Sequence, residues 1–283
     1  VEKHPYFDLW LHSNDELGAL LAVEVLERET LHDWPLSCVQ LLHLADGRQL
    51  IYKSQDRRGT VEPEFYASVG SSLLPRYWNL GNFNGSVNMA FEFIDAPLLI
   101  DLNVDERTAL HHLGRLMALI GQIDGDPPVY ADIGTPHRWL LLVDETLDTL
   151  EGLIAQEQFH FVQRKAVWQL NNWARSSITL AAIQSRPGVI HGDLTPENIF
   201  VTPDGYRVID WQRPKRAPVD LDEINFLDAQ GYDPLGYKRP ALVGLYWFLQ
   251  LHWFVTCKAT LFPQGEVYDE EVAALAGKII QLE

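Results

Sequence analysis

Apolar and polar positions change rhythm along this chain. In "HSNDELGALLAVEVLERE", Leu17, Leu20, Leu21 and Val25 recur at helical spacing, and Ser13 with Glu16 three residues later forms a capping-box pattern. The run "CVQLLHLADGRQLIYKS" alternates instead and turns at Asp46-Gly47, a strong hairpin signal. A short helix is predicted over residues 60–74, with Pro63 tolerable only in its first turn. Another strand, "VNMAFEFID" at 87–95, follows and is ended by Pro97. Beyond it, Leu110, Leu113, Met117 and Ile120 form one helical stripe within 105–123, and helical patterns recur near 144–156, 160–184 and 239–257.

A strand-rich stretch followed by a mostly helical one predicts an α+β protein. The expected segments are 1–95 and 96–283, divided at "FIDAPL". With 283 residues the chain is too long for one small core and suits two lobes of unequal size.

One later stretch breaks the helical rhythm: "HGDLTPENIFVTPDGYRVIDW", residues 191–211. Thr202-Pro203-Asp204-Gly205 is a turn, because Pro pre-sets the backbone at the second position and Gly accepts a left-handed conformation at the fourth. A three-residue hairpin loop would set Thr202 opposite Tyr206, Phe200 opposite Val208 and Asn198 opposite Asp210. Directly opposed residues share a face, so an amide oxygen and a carboxylate would stand together at the open end of the ribbon. Two adjacent oxygen ligands that leave other positions open suit Mg2+, which keeps water and phosphate oxygens in its shell. Asp193 lies just before this pair, where a carboxylate could accept a proton from an attacking hydroxyl.

Composition narrows the partners. Acidic residues outnumber basic ones 39 to 22, a formal charge of -17, which repels nucleic acid and anionic membranes, attracts cationic small molecules and favours solubility. A hydrophobic content of 47% with 22% charged residues is that of an ordinary globular protein. Cys38 and Cys257 form no metal or disulfide pattern and point to a reducing, cytoplasmic setting. The apolar run at 242–255 is short, carries Gln250 and His252, and reads as a buried helix, not a membrane span. The chain has no G-x-x-x-x-G-K-S/T loop, H-E-x-x-H or G-x-S-x-G motif.

"HGDLTPEN" followed by "VIDW" resembles the aminoglycoside phosphotransferase and choline kinase-like families, whose pattern is H-G-D-x-x-x-x-N, a short hairpin, then I-D-W or I-D-F. The resemblance implies a bilobal protein kinase-like fold, with a small antiparallel-sheet N-lobe and a larger, mostly helical C-lobe. It also implies ATP- and Mg2+-dependent transfer of the terminal phosphoryl to a hydroxyl of a small molecule, such as a cationic amine or amino sugar. On it, Asp193 is the catalytic aspartate, Asn198 and Asp210 hold the metal, and His191 and Asp220 support the loop. A lysine paired with a glutamate of the following helix should reach the phosphates. "QLIYKS" supplies Lys53, and "VEPEFY" supplies Glu62 or Glu64, of which Glu62 matches the family's E-x-x-F-Y. The backbone of Glu92, Phe93 and Ile94 would meet the adenine edge.

The departure is the absence of glycine in "TLHDWPLSCVQLL", where the kinases place a phosphate-covering loop; Ser37 is the candidate substitute. That absence favours the alternative, a catalytically idle nucleotide-binding scaffold or sensor. For the acceptor, Asp222, Glu223, Asp228 and Asp233 could line an amine pocket or form a solvated surface. The aromatic-rich helix at 244–254 could offer faces to a sugar or amine, or could be core.

Overall fold

The computed structural model describes residues 1–123 and 125–282. Their contacts divide the chain into two compact units: Val1–Tyr130 with Pro196–Pro214, and Ala131–Thr195 with Lys215–Glu283. The segments 1–95 and 96–283 follow composition along the chain. The contact units instead group the central hairpin with the N-terminal sheet.

The first unit is built on a five-stranded antiparallel sheet in the spatial order Val25–Trp34, Ser37–Leu44, Gln49–Asp56, Ser86–Glu92, Tyr77–Phe83. The hairpin at Asp46-Gly47 forms as its sequence predicts, with His43 opposite Gln49. The opening helix is shorter than its periodicity predicts. Ser13 and Glu16 do close a capping box, but the helix runs only over Asn14–Leu21. Ala22 then turns left-handed at φ 55°, its N–H satisfied by the Gly18 carbonyl, and Val25 begins an edge strand. The helical spacing of Val25 is therefore coincidental; its burial is on the sheet, where it joins Leu9, Leu11, Leu17, Leu42, Leu50 and Tyr52 in one apolar cluster.

Where a glycine-rich loop was absent from the sequence, Trp34 pairs with Ser37 across the two residues Pro35 and Leu36. Helix Glu62–Ser68 follows the central strand, with Pro63 in its first turn, where no intrahelical N–H is required. Helix Glu106–Ile120 buries Ala109, Leu113, Leu116 and Ile120, and Asp105 caps it through the Thr108 N–H.

The second unit is helical around one core. Trp139, Trp173 and Phe248 meet there, with Trp139 set edge-on to Phe248 at 5.0 Å and its indole N–H donating to the Ala174 carbonyl. Three residues of the helix Pro240–Thr256, Tyr246, Trp247 and Phe248, are at most 8% exposed, so its aromatic run is largely core. Strand Lys215–Pro218 pairs antiparallel with Pro187–Ile190, setting Lys215 opposite Ile190, one residue before His191. Among the described residues no helix is long and apolar enough to cross a membrane.

Candidate active site

Lys53 sits in the central strand, opposite Val39 and Met89, and is 6% exposed. A buried ammonium is stable only when paired. Its Nζ donates to Glu62 Oε2 at 2.6 Å and to Asp210 Oδ1 at 2.6 Å. Glu64, the other acid of that helix turn, bonds Arg57 instead. Burial works against the Lys53 charge, but the Asp210 and Glu62 carboxylates more than offset it and raise the pKa above the ordinary lysine value. Glu62, 1% exposed, is pushed up to about 7 by burial, against the pull of Lys53, and Asp210 adds to the rise. Two carboxylates thus share one buried cation.

The hairpin that carries Asp210 is in a different register from the expected one. Thr202 pairs with Gly205, Val201 with Tyr206, Phe200 with Arg207 and Ile199 with Val208. The loop holds two residues, Pro203 and Asp204, instead of three, and Thr202 Oγ1 donates to Asp204 Oδ1 at 2.7 Å. Asn198 and Asp210 are therefore not direct partners, since a one-residue slip exchanges faces. The regular ladder stops at Ile199 and Val208. Asn198 ends a single helical turn over Pro196–Asn198, its carbonyl accepting from Ile209 N–H at 3.0 Å. Asp210 has φ 67°, a left-handed backbone that ends the strand. Both residues lie at the same end of the ribbon, where the backbone is irregular and not in cross-strand pairing.

The segment around Asp210 is anchored on the helix that supplies Glu62. Trp211, fully buried, stacks on Phe65 at 4.7 Å, the Val61 N–H donates to the Gln212 carbonyl, and the Val208 N–H donates to the Leu73 carbonyl. Gln212 and Gln55 escaped the sequence reading; the I-D-W and E-x-x-F-Y matches contained Trp211 and Phe65, but nothing in the sequence said that their rings would touch.

His191, Asp193 and Asp220 belong to the second unit. His191 is 1% exposed and Asp193 is exposed. Gly192 between them has φ 80°, a conformation that favours glycine, which explains that residue in H-G-D. The Asp193 N–H donates to His191 Nδ1 at 3.2 Å. The loop is held chiefly by Asp222, whose two oxygens accept from the His191 and Gly192 N–H groups at 2.7 and 2.8 Å. Burial raises the Asp222 pKa, partly countered by His191 and those backbone bonds. Lys215 Nζ donates to the Gly192 carbonyl at 3.1 Å from the other side. Asp220, expected to support the loop, accepts instead from Lys238 at 2.9 Å and joins Arg186 and Glu223 in an ion cluster. Both aspartates open the same helix, Asp220–Ala229, and two residues of helical rotation separate their faces.

In the segment expected at the adenine edge, the Glu92 N–H donates to the Arg76 carbonyl, so that one donor is already engaged. Phe93 is 39% exposed, and the Ile94 carbonyl accepts from Ala96. The acids after residue 220 are engaged within the protein: Asp228 accepts from the Tyr246 hydroxyl at 2.9 Å, and Asp233 caps Leu235. Ser37 is 8% exposed at the first position of its strand.

Among the described residues one cluster has metal-ligating side chains, His4, Asp33 and Cys38. His4 Nδ1 accepts from the Tyr6 and Phe7 N–H groups, so Nε2 carries the proton and donates to Asp33 at 3.1 Å. The ring has no lone pair left for an ion. Burial also pushes the Cys38 thiol up to about 11.

An antiparallel-sheet N-terminal region, a helical C-terminal region and a buried lysine held by two carboxylates define a kinase-like α+β protein. The phosphotransferase enzyme family matches residues 69–235, and the chain belongs to that family. A comparison with curated proteins finds no match. Among solved structures, a choline/ethanolamine kinase family protein from Mesorhizobium loti is similar with a TM-score of 0.62 at 14% identity, covering 95% of this chain and 98% of that one. Choline kinase LicA from Streptococcus pneumoniae aligns with a TM-score of 0.60 at 14% identity, covering 95% and 97%. Spectinomycin phosphotransferase in complex with ADP and spectinomycin aligns with a TM-score of 0.54 at 12% identity, covering 95% and 98%.

Proposed function

We propose that the protein transfers the terminal phosphoryl of ATP to a hydroxyl of a small molecule in a Mg2+-dependent reaction. The observation that carries this reading is the buried Lys53, which bridges the buried Glu62 and the half-buried Asp210. A structural ion pair needs one carboxylate; a second, contributed from a distant part of the sequence, suits a lysine that must be aimed at phosphate. Family membership supports the same reading, as does the presence of ADP and spectinomycin on a neighbour of the same fold.

The donor set fits a hard cation. Asn198 offers an amide oxygen and Asp210 a carboxylate, the all-oxygen chemistry that Mg2+ takes. These two residues would hold the metal, which when bound neutralises phosphate charge. Lys53 binds donor phosphate oxygens. Asp193 accepts the acceptor's hydroxyl proton as the new O–P bond forms and the bond from the terminal phosphorus to the ADP oxygen breaks. The electron pair of that bond leaves on ADP, and no covalent enzyme intermediate is needed. Catalysis in this class is mostly positioning and charge neutralisation.

The test is Asp193→Asn in a phosphotransfer screen over amino alcohols, choline-like amines, sugars and aminoglycosides. Turnover is expected to vanish while ATP binding, followed by thermal shift, stays near wild type. Near-normal turnover by Asp193→Asn would refute the assignment, and a wild-type protein that binds ATP but phosphorylates nothing would favour a binding role.

A further inference from the structure

Asp210 has a second carboxylate oxygen, and its partner begins a chain of amides. Gln212 Nε2 donates to Asp210 Oδ2 at 2.5 Å, and Gln55 Nε2 donates to Gln212 Oε1. Gln55 lies two residues after Lys53 on the same strand, opposite Ser37 and Val87, and is 1% exposed. Its own Oε1 is buried without a hydrogen-bond partner.

The polarity of this chain is set by charge. An ionised carboxylate only accepts, so Gln212 must turn its NH2 toward Asp210. Its oxygen then faces away and can be satisfied only by a donor, which fixes the amide of Gln55 in turn. The relay therefore ends on a carbonyl oxygen that needs an N–H or O–H. A phosphate oxygen cannot supply one. Water held by a divalent cation can, and Mg2+ usually keeps several of its waters when protein and phosphate bind it.

We propose that Gln212 and Gln55 are positioning residues: a two-amide relay orients the Asp210 carboxylate, and its terminal carbonyl accepts a hydrogen bond from the hydration shell of the cation. The relay leaves the carboxylate's charge intact, because both amides are neutral, while Lys53 holds the other oxygen. The inference rests on the reading of Asp210 as a metal ligand.

The experiment is a Mn2+ titration followed by electron paramagnetic resonance, with a non-hydrolysable ATP analogue present, on the full chain and on Gln212→Met and Gln55→Met. Each substitution is expected to weaken Mn2+ binding roughly tenfold, the size of one lost hydrogen bond to a charged group or its shell. The metal-free melting temperature of Gln55→Met should stay close to that of wild type, since the substitution removes one unsatisfied carbonyl and in exchange leaves the Gln212 oxygen without its donor. Gln212→Asn keeps an amide but not its reach, and is expected to lose Mn2+ affinity likewise should the methionine variant fold poorly. Mn2+ affinities within twofold of wild type, or a lowered metal-free melting temperature for Gln55→Met with affinity unchanged, would overturn the relay and leave the metal site standing. A wild-type protein that binds no Mn2+ overturns both.

Discussion

Phe65 and Trp211 stack face to face, with ring centroids 4.7 Å apart and planes 11° from parallel. The contact joins the helix turn that supplies Glu62 to the residue following Asp210. Together with the bond from the Trp211 indole N–H to the Val208 carbonyl, it fixes the backbone on which Asp210 is displayed. Two of the three charged residues, Glu62 and Asp210, thus sit on segments that one apolar stack joins.

Replacing Trp211 with Ala removes a fully buried ring and is expected to cost about 3–5 kcal/mol of stability, read from urea unfolding. Trp211→Phe should recover most of that loss. A double-mutant cycle with Phe65→Leu should leave a coupling of about 1 kcal/mol, as aromatic pairs do beyond their buried area.

Lys53→Met leaves the buried Glu62 and the half-buried Asp210 carboxylates without their shared cation. Turnover is expected to fall by about 10²-fold or more, the usual scale for removing one charge-stabilising group. Binding of ATP, measured by calorimetry, should weaken as well.

Glu62 supplies a pH signature of stability. Its folded pKa of about 7 lies above the ordinary 4.5, so between those values the folded protein holds a proton that the unfolded chain releases. Its contribution is fully present below about pH 4.5 and is lost as pH rises through 7. The urea midpoint should therefore carry a downward component over that range in the wild type. That component should be absent from Glu62→Gln.

Asp222 and Asp220 separate a loop anchor from a member of an ion cluster. Asp222→Ala strands the His191 and Gly192 N–H groups and is expected to cost about 3 kcal/mol or more, with loss of turnover. Asp220→Ala leaves Lys238 paired with Glu223, and its cost should be smaller. Comparing unfolding curves of the two variants checks the order.

The elements with local signals were legible without coordinates. The Ser13 cap, the Asp46-Gly47 hairpin, the helix behind Asp105 and the central Pro-Asp-Gly turn each depend on residues within a few positions of one another. Lys53 and Glu62 could be paired through the E-x-x-F-Y pattern. Asp222 could have been suspected from the D-L-D sequence, which offers two acids, but only the helix rotation says which reaches the loop. Val25 misled because a periodic apolar residue looks the same whether a helix or a sheet buries it.

The sequence alone determined the change from strand-rich to helical character, the turn chemistry and the kinds of side chain available, since these follow from backbone preferences and short-range spacing. Tertiary structure decided the hairpin register, the left-handed backbone at Asp210, the Phe65–Trp211 stack and the amide chain behind the carboxylate. These depend on residues far apart in sequence competing for the same buried space and the same hydrogen bonds. No local pattern encodes which partner wins that competition.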